Sequence, residues 1–257
     1  MTAEVNVIET RSEALRGAMM VVGFPTVGLV GSVAASYLVH TLDMTLVGYV
    51  ASDGFPPTVI MEEGVVEPPI RIFASKTVCG VDRSSDQLVV VLSDIQPPVE
   101  LLNSLARALL DWAARKEIGF VVAVEGQPVE TDRPGDVRVV AMVNRAAAPL
   151  LEKYRFHAAN GVVTGLAGAL LLAAIGRPTP VLCLIAQAHK DFPDARAAAR
   201  VIETVNPLVP LLLIDTKPLR EKARELEAQM RRNLDRQQQT MSKLREPAAE
   251  GAGEMYR

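Results

Sequence analysis

Short β-branched runs alternate along this chain with longer segments whose apolar residues recur every three or four positions, the pattern of an α/β protein. Residues 18–22 are apolar throughout and predict a strand; a Gly/Pro turn follows, then a helix over about 27–43. Residues 46–51 and 70–75 predict two further strands, separated by a Pro- and Gly-rich stretch over 54–69. Residues 88–92 have no polar position, as expected of a strand covered on both faces of a sheet. Pro97 and Pro98 then open a helix to Lys116, in which Leu101, Leu102, Leu105, Leu109 and Trp112 fall at helical spacing. With a strand over 120–124, residues 88–124 form a strand–helix–strand unit, which implies a right-handed crossover and parallel strands. A helix over 164–175, a strand over 181–186, a helix over 194–205 and a last strand over 211–214 complete the series. Residues 1–215 thus read as one α/β core domain, a mainly parallel sheet with helices on both faces.

Past Asp215 the pattern changes. Pro218 stands where a first helical turn tolerates proline. Leu219, Ala223, Leu226, Met230, Leu234, Met241 and Leu244 then form an apolar stripe, amid nine basic and five acidic side chains between Lys217 and Glu246. Residues 216–246 predict a long amphipathic helix, either laid back on the core or paired between subunits as a coiled coil. Gln237 on the seam weighs against the coiled coil. Pro247 ends the stripe, and residues 247–257 carry no pattern that could pack, so they predict a flexible tail. Its last residues are Met255, Tyr256 and Arg257, a tyrosine with no core to join. An apolar side chain, a phenol and a terminal carboxylate make a compact plug for a partner's pocket, where a lysine would meet the carboxylate.

Composition narrows the class. Over 257 residues, 49% hydrophobic and 22% charged side chains are the balance of a folded protein, and only 4% aromatic residues leave the core to Val, Leu, Ile and Ala. A net charge of −3 argues against nucleic acid, whose phosphates call for a basic surface. Cys79 and Cys183 lie in or beside apolar runs and are expected to be buried free thiols. Two uncharged stretches, 18–42 and 158–176, are long enough to suggest membrane spans. Gly23, Pro25, Gly28 and Gly31 break the first, and Gly176-Arg177-Pro178 stops the second. The early charges Glu4, Glu9, Arg11 and Glu13 are not those of a signal peptide. A soluble, cytoplasmic protein with neither membrane nor nucleic-acid partner is expected.

Candidate chemistry is sparse. The loop from Gly23 to Ser32 sits between a strand and a helix, where phosphate-cradling loops lie. However, Thr26 stands where a dinucleotide fingerprint needs its first glycine, and no Gly-Lys-Ser/Thr ending follows. Gly28 and Gly31 are better explained as letting the helix approach the sheet, and Gly165 and Gly168 as allowing tight packing in the same way. No cofactor is expected. Asp53, Asp94, Glu125 and His189 each follow a predicted strand at its carboxyl end, where open parallel sheets bind ligands. A hydrolase or phosphorylase-like enzyme would use such a pocket. Against it, no nucleophile elbow appears, and His40, His157 and His189 are too scattered for metal-ligand spacing. Asp194 is expected to cap the helix that follows it. No catalytic or metal-binding residue is assigned.

Five stretches together carry a resemblance. They are Gly23 to Leu38, Phe55-Pro56-Pro57, Pro69 to Ile72, Gly161 to Gly168 and Phe192 to Ala198. In that order, over roughly residues 15–225, they resemble the proteasome assembly chaperone 2 family as found in archaea. The resemblance implies a core similar to nucleoside phosphorylases, self-association into homo-oligomers, and a link to the 20S proteasome without enzymatic activity. Some archaeal members are assembly-chaperone homologues or ATP-independent activators whose tails end in a hydrophobic–tyrosine–any motif. That tail docks between α-subunits of the ring. Met255, Tyr256 and Arg257 match the motif position by position.

Overall fold

The computed structural model describes residues 3–81, 85–129, 137–190 and 192–221. Residues 217–221 are helical; the rest of the long helix expected over 216–246, and the tail with Met255, Tyr256 and Arg257, lie outside the described residues.

The strands are β1 Asn6–Glu9, β2 Met19–Gly23, β3 Thr45–Ala51, β4 Ile60–Glu62, β5 Val65–Glu67, β6 Ile70–Ala74, β7 Val78–Cys79, β8 Ser85–Asp86, β9 Leu88–Ser93, β10 Phe120–Pro128, β11 Val139–Val143 and β12 Val181–Ala188. The α-helices are α1 Val30–Thr41, α2 Leu102–Arg115, α3 Ala148–Lys153, α4 Gly165–Ala173 and α5 Ala195–Val205. Eight strands form one sheet in the order β1-β3-β6-β9-β2-β10-β12-β11, while β4–β5 and β7–β8 are small hairpins.

The sheet is mixed, which corrects the expectation of a mainly parallel one. Its centre, β9-β2-β10-β12, is parallel. The flank β1-β3-β6-β9 and the far edge pair β11–β12 are antiparallel. The reason lies in the connections: among the described residues no helix joins β3 to β6 or β6 to β9, and a parallel neighbour needs a long crossover, usually helical. The expected unit over 88–124 does form, with β9 and β10 parallel on either side of β2.

Side chains alternate across the sheet and feed two apolar layers. Val121 and Ala123 of β10 join α2 and α4 on one face; Val122 and Val124 join α1 and α5 on the other. Every residue of β9 is buried, as its uninterrupted apolar run predicts.

Residues 211–214 form no strand. Pro210–Leu212 is a 3-10 turn, and Leu213 follows with a φ of 47°. An apolar run of four cannot by itself separate a strand from a turn. Here Pro207 and Pro210 lack N–H groups for a ladder, and the Leu211 N–H donates instead to the Asp86 carboxylate.

The helix expected from Val27 starts later, because Gly28 (φ 62°) and Leu29 (φ 49°) are left-handed and α1 opens only at Val30. Gly31 packs as expected: a Cβ there would lie 2.5 Å from the Phe24 carbonyl oxygen. Gly165 differs, since no atom lies within 4 Å of its would-be Cβ; its φ of +69° is what calls for glycine. Cys183 is buried, but Cys79 sits exposed in the β7–β8 hairpin, against expectation. Among the described residues no helix is long and apolar enough to cross a membrane.

Candidate functional site: a cleft at the strand ends

The loop after β2 leads to α1 on one face of the sheet, whereas the loop after β9 leads to α2 on the other. Where neighbouring connections part in this way, a crevice opens beyond the carboxyl ends of the strands. A cleft of about 750 Å³ lies there, bounded by the loop at Phe24–Val27, the segment from Gln96 to Val99, the end of β10 and the glycine-containing approach to α4. Its walls mix apolar side chains, Phe24, Leu102, Met142 and Ile185 among them, with nearly as much polar surface. The exposed amide side chains of Gln96, Gln127 and Asn160 also line it. The Gly126 N–H donates to Thr26 Oγ1 at 3.2 Å, tying the first loop to β10.

Glu125 is the chemical centre of this cleft. Two-residue alternation after Val121 and Ala123 turns it to the α2/α4 face, where it is half-buried beside Ile185 of β12. Burial pushes its carboxyl up to about 7, and a hydrogen bond from the Ala167 amide in the first turn of α4 only partly offsets this. Nearby on β12, the Cys183 thiol is pushed well above its usual range, chiefly by burial and secondly by the charge of Glu125. Among the described residues, Glu125 is the only ionisable side chain that lines the cleft, and it enters no ion pair.

The other polar strand-end residues do not converge on it. Asp94 is bound by Arg71 of β6, whose Nη2 donates to its carboxylate at 2.7 Å while Nη1 reaches Glu62 at 3.0 Å. Asp53 is exposed in a turn. His189 stacks on Phe192 with ring centres 4.6 Å apart, and its N–H donates to Asp194 at 3.1 Å. Asp194 caps α5 as expected, accepting from the Ala197 N–H at 2.9 Å. Among the described residues no group of three or more His, Cys, Asp or Glu is placed to hold a metal ion. Sequence reasoning assigned no role to Arg71; the available signal was a lone charge inside the apolar strand Ile70–Ala74.

A mixed eight-stranded sheet between two helical layers, with a cleft at the strand ends, defines the class. The chain belongs to the PAC2 family, whose model matches residues 20–234. It is similar to PbaA of Pyrococcus furiosus, an archaeal homologue of proteasome-assembly chaperone: 28% identity, 94% of this chain and 96% of that one, TM-score 0.78. PbaB of the same organism, an archaeal proteasome activator, shares the fold at 24% identity and a TM-score of 0.77, over 90% and 99% of the two chains. An uncharacterised protein of Methanocaldococcus jannaschii is 24% identical over 248 residues, 95% of this chain and 97% of that one.

Proposed function

We propose that this protein is a non-catalytic homologue of proteasome assembly chaperones, or an ATP-independent proteasome activator, that docks its C-terminal tail on the α-ring of the 20S particle. The observation that carries this reading is the likeness to PbaA, at 28% identity over nearly the whole of both chains, within a shared family. In this reading the 1–215 core self-associates in the cytoplasm, the 216–246 helix leads out of it, and several 247–257 tails are displayed together. Met255, Tyr256 and Arg257 are the docking residues, entering pockets between α-subunits.

The twelve residues from Glu246 to Arg257, as a flexible run, would reach a root-mean-square distance of roughly 20 Å, at about 5–6 Å per square root of residue number. Several weak tails on one oligomer raise the effective concentration, so modest affinity per tail suffices. The test is a pull-down of 20S particles by the intact chain and by a chain lacking Met255–Arg257, with native mass measurement of both. The intact chain should retain the particle and the truncated one should lose it at unchanged oligomer mass. Retention by the truncated chain sinks tail docking; failure of the intact chain to retain any particle sinks the proteasome reading itself.

A further inference from the structure

The strand-end cleft holds a feature that tail docking does not use. A carboxyl group sits half-buried in the cleft wall with no cation beside it among the described residues. Among the described residues nothing else lining the cleft carries a charge: the β2 loop, the 96–99 segment and α4 contribute no ionisable side chain, β12 contributes Ile185, and the buried Cys183 thiol of the same strand is neutral. We propose that this cleft binds a small organic ammonium ion with an apolar body, its nitrogen held by the Glu125 carboxylate.

Each class of occupant meets the site differently. An anion would face the Glu125 charge with no basic side chain in the lining, among the described residues, to offset it. A wholly apolar molecule would strip the carboxyl of water and leave the Ala167 N–H as its one partner among the described residues, which is costly for the charged form. An ammonium ion supplies charge-assisted donors to the carboxylate. Phe24, Leu102, Met142 and Ile185 take up its apolar body, and the amides of Gln96, Gln127 and Asn160 remain for further polar groups. A volume of about 750 Å³ is within the range of roughly 300–1,000 Å³ typical of small-molecule sites. The floor is preformed, because the Gly126 N–H to Thr26 bond and the close seat of Gly31 under Phe24 fix the β2 loop against β10 before any ligand arrives.

The proposal rests on the cleft alone and is independent of 20S binding. The test is titration calorimetry of the full chain with phenethylamine, tyramine and cadaverine, using 2-phenylethanol as the neutral counterpart of phenethylamine. At pH 8 at least one amine should bind, and phenethylamine should bind at least about tenfold tighter than the alcohol, the difference a charge-assisted bond makes. Between pH 8 and pH 6 the amines stay charged while Glu125 takes up a proton, so amine affinity should fall about tenfold and alcohol affinity should not.

Glu125→Gln should remove both the amine preference and its pH dependence. Because that variant also alters the contact with Ala167, a second variant guards the reading: Val99→Trp, at an exposed position in the lining, should block amine binding with Glu125 intact. The proposal is overturned if no amine of the panel binds at millimolar concentration, if amine and alcohol bind alike, or if either variant binds amines as the parent does.

Discussion

Asp94 and Glu125 occupy comparable places in the sheet, one just past β9 and the other near the end of β10, with only β2 between their strands. Their surroundings are opposite. Asp94 is paired by Arg71, whose side chain is only 8% exposed, and through it is linked to Glu62 of the β4–β5 hairpin. Glu125 faces an open cleft without a cation among the described residues, and its carboxyl titrates near neutrality. Strand-end position alone therefore does not make a site. What distinguishes the two is whether the neighbouring strand supplies a counter-charge, and β6 does so for Asp94.

The most damaging way to break this contrast is Asp94→Ala. The Arg71 guanidinium would stay buried over the Phe73 ring, with the exposed Glu62 as its one remaining carboxylate among the described residues. Stranding a buried charge costs about 3–5 kcal/mol, and the partner that remains puts this case near the low end, about 3 kcal/mol. Denaturant unfolding measures it, and Asp94→Asn should be nearly as harmful because it too removes the charge. A loss below ~1 kcal/mol in both variants would mean that the pair contributes little and that the two carboxylates differ less than their geometry suggests.

Glu125 should reveal itself through pH. Its folded carboxyl titrates near 7 and its unfolded one near 4.5, so between those values the native state holds a proton that the unfolded chain releases. Stability from this group is then fully present below about pH 4.5 and is lost as pH rises to about 7. The loss should amount to about 1–3 kcal/mol, given 1.36 kcal/mol for each tenfold step. Glu125→Gln should flatten that slope, compared by midpoints of unfolding at pH 5 and pH 8. An unchanged slope in the variant would assign the pH dependence to another group.

How far this contrast could be read in advance depended on distance along the chain. Alternation after Val121 and Ala123 assigns Glu125 to one face without any knowledge of its neighbours, because strand periodicity is local. The pairing of Asp94 with Arg71 is not local. It needs β6 to lie antiparallel beside β9 in a register that sets Ile70 opposite Ser93 and Arg71 opposite Leu92. Nothing in either segment specifies that partner. The same limit hid the antiparallel flank, since runs such as Asn6–Glu9 and Val139–Val143 become sheet edges only through the strands they meet. Residues 211–214 misled for the opposite reason: their apolar pattern was clear, but prolines upstream decided the outcome. Helix-entry chemistry was legible where a side chain acts within three residues, as Asp194 does on Ala197.

Asp194 gives the finest test, because it is a third carboxylate beyond a strand end and owes its place to neither ion pairing nor a cleft. Its oxygens accept from the Ala197 and His189 N–H groups, its own N–H donates to the Gly28 carbonyl, and it is only 3% exposed. The function it performs is acceptance: an amide oxygen can keep the Ala197 bond at the helix N-cap, but Asn offers one oxygen where Asp offers two and cannot also accept from His189. Asp194→Ala should therefore cost about 1–2 kcal/mol, with Asp194→Asn intermediate because it keeps the N-cap bond and loses the one from His189. That split differs from the expectation at Asp94, where Asn and Ala should be alike. Thermal unfolding of the four variants side by side separates a carboxylate needed for its charge from one needed for its lone pairs. If Asp194→Asn fell as far as Asp194→Ala, the charge or the second oxygen would matter as much as the N-cap bond, and the distinction between the strand ends would have to be redrawn around burial alone.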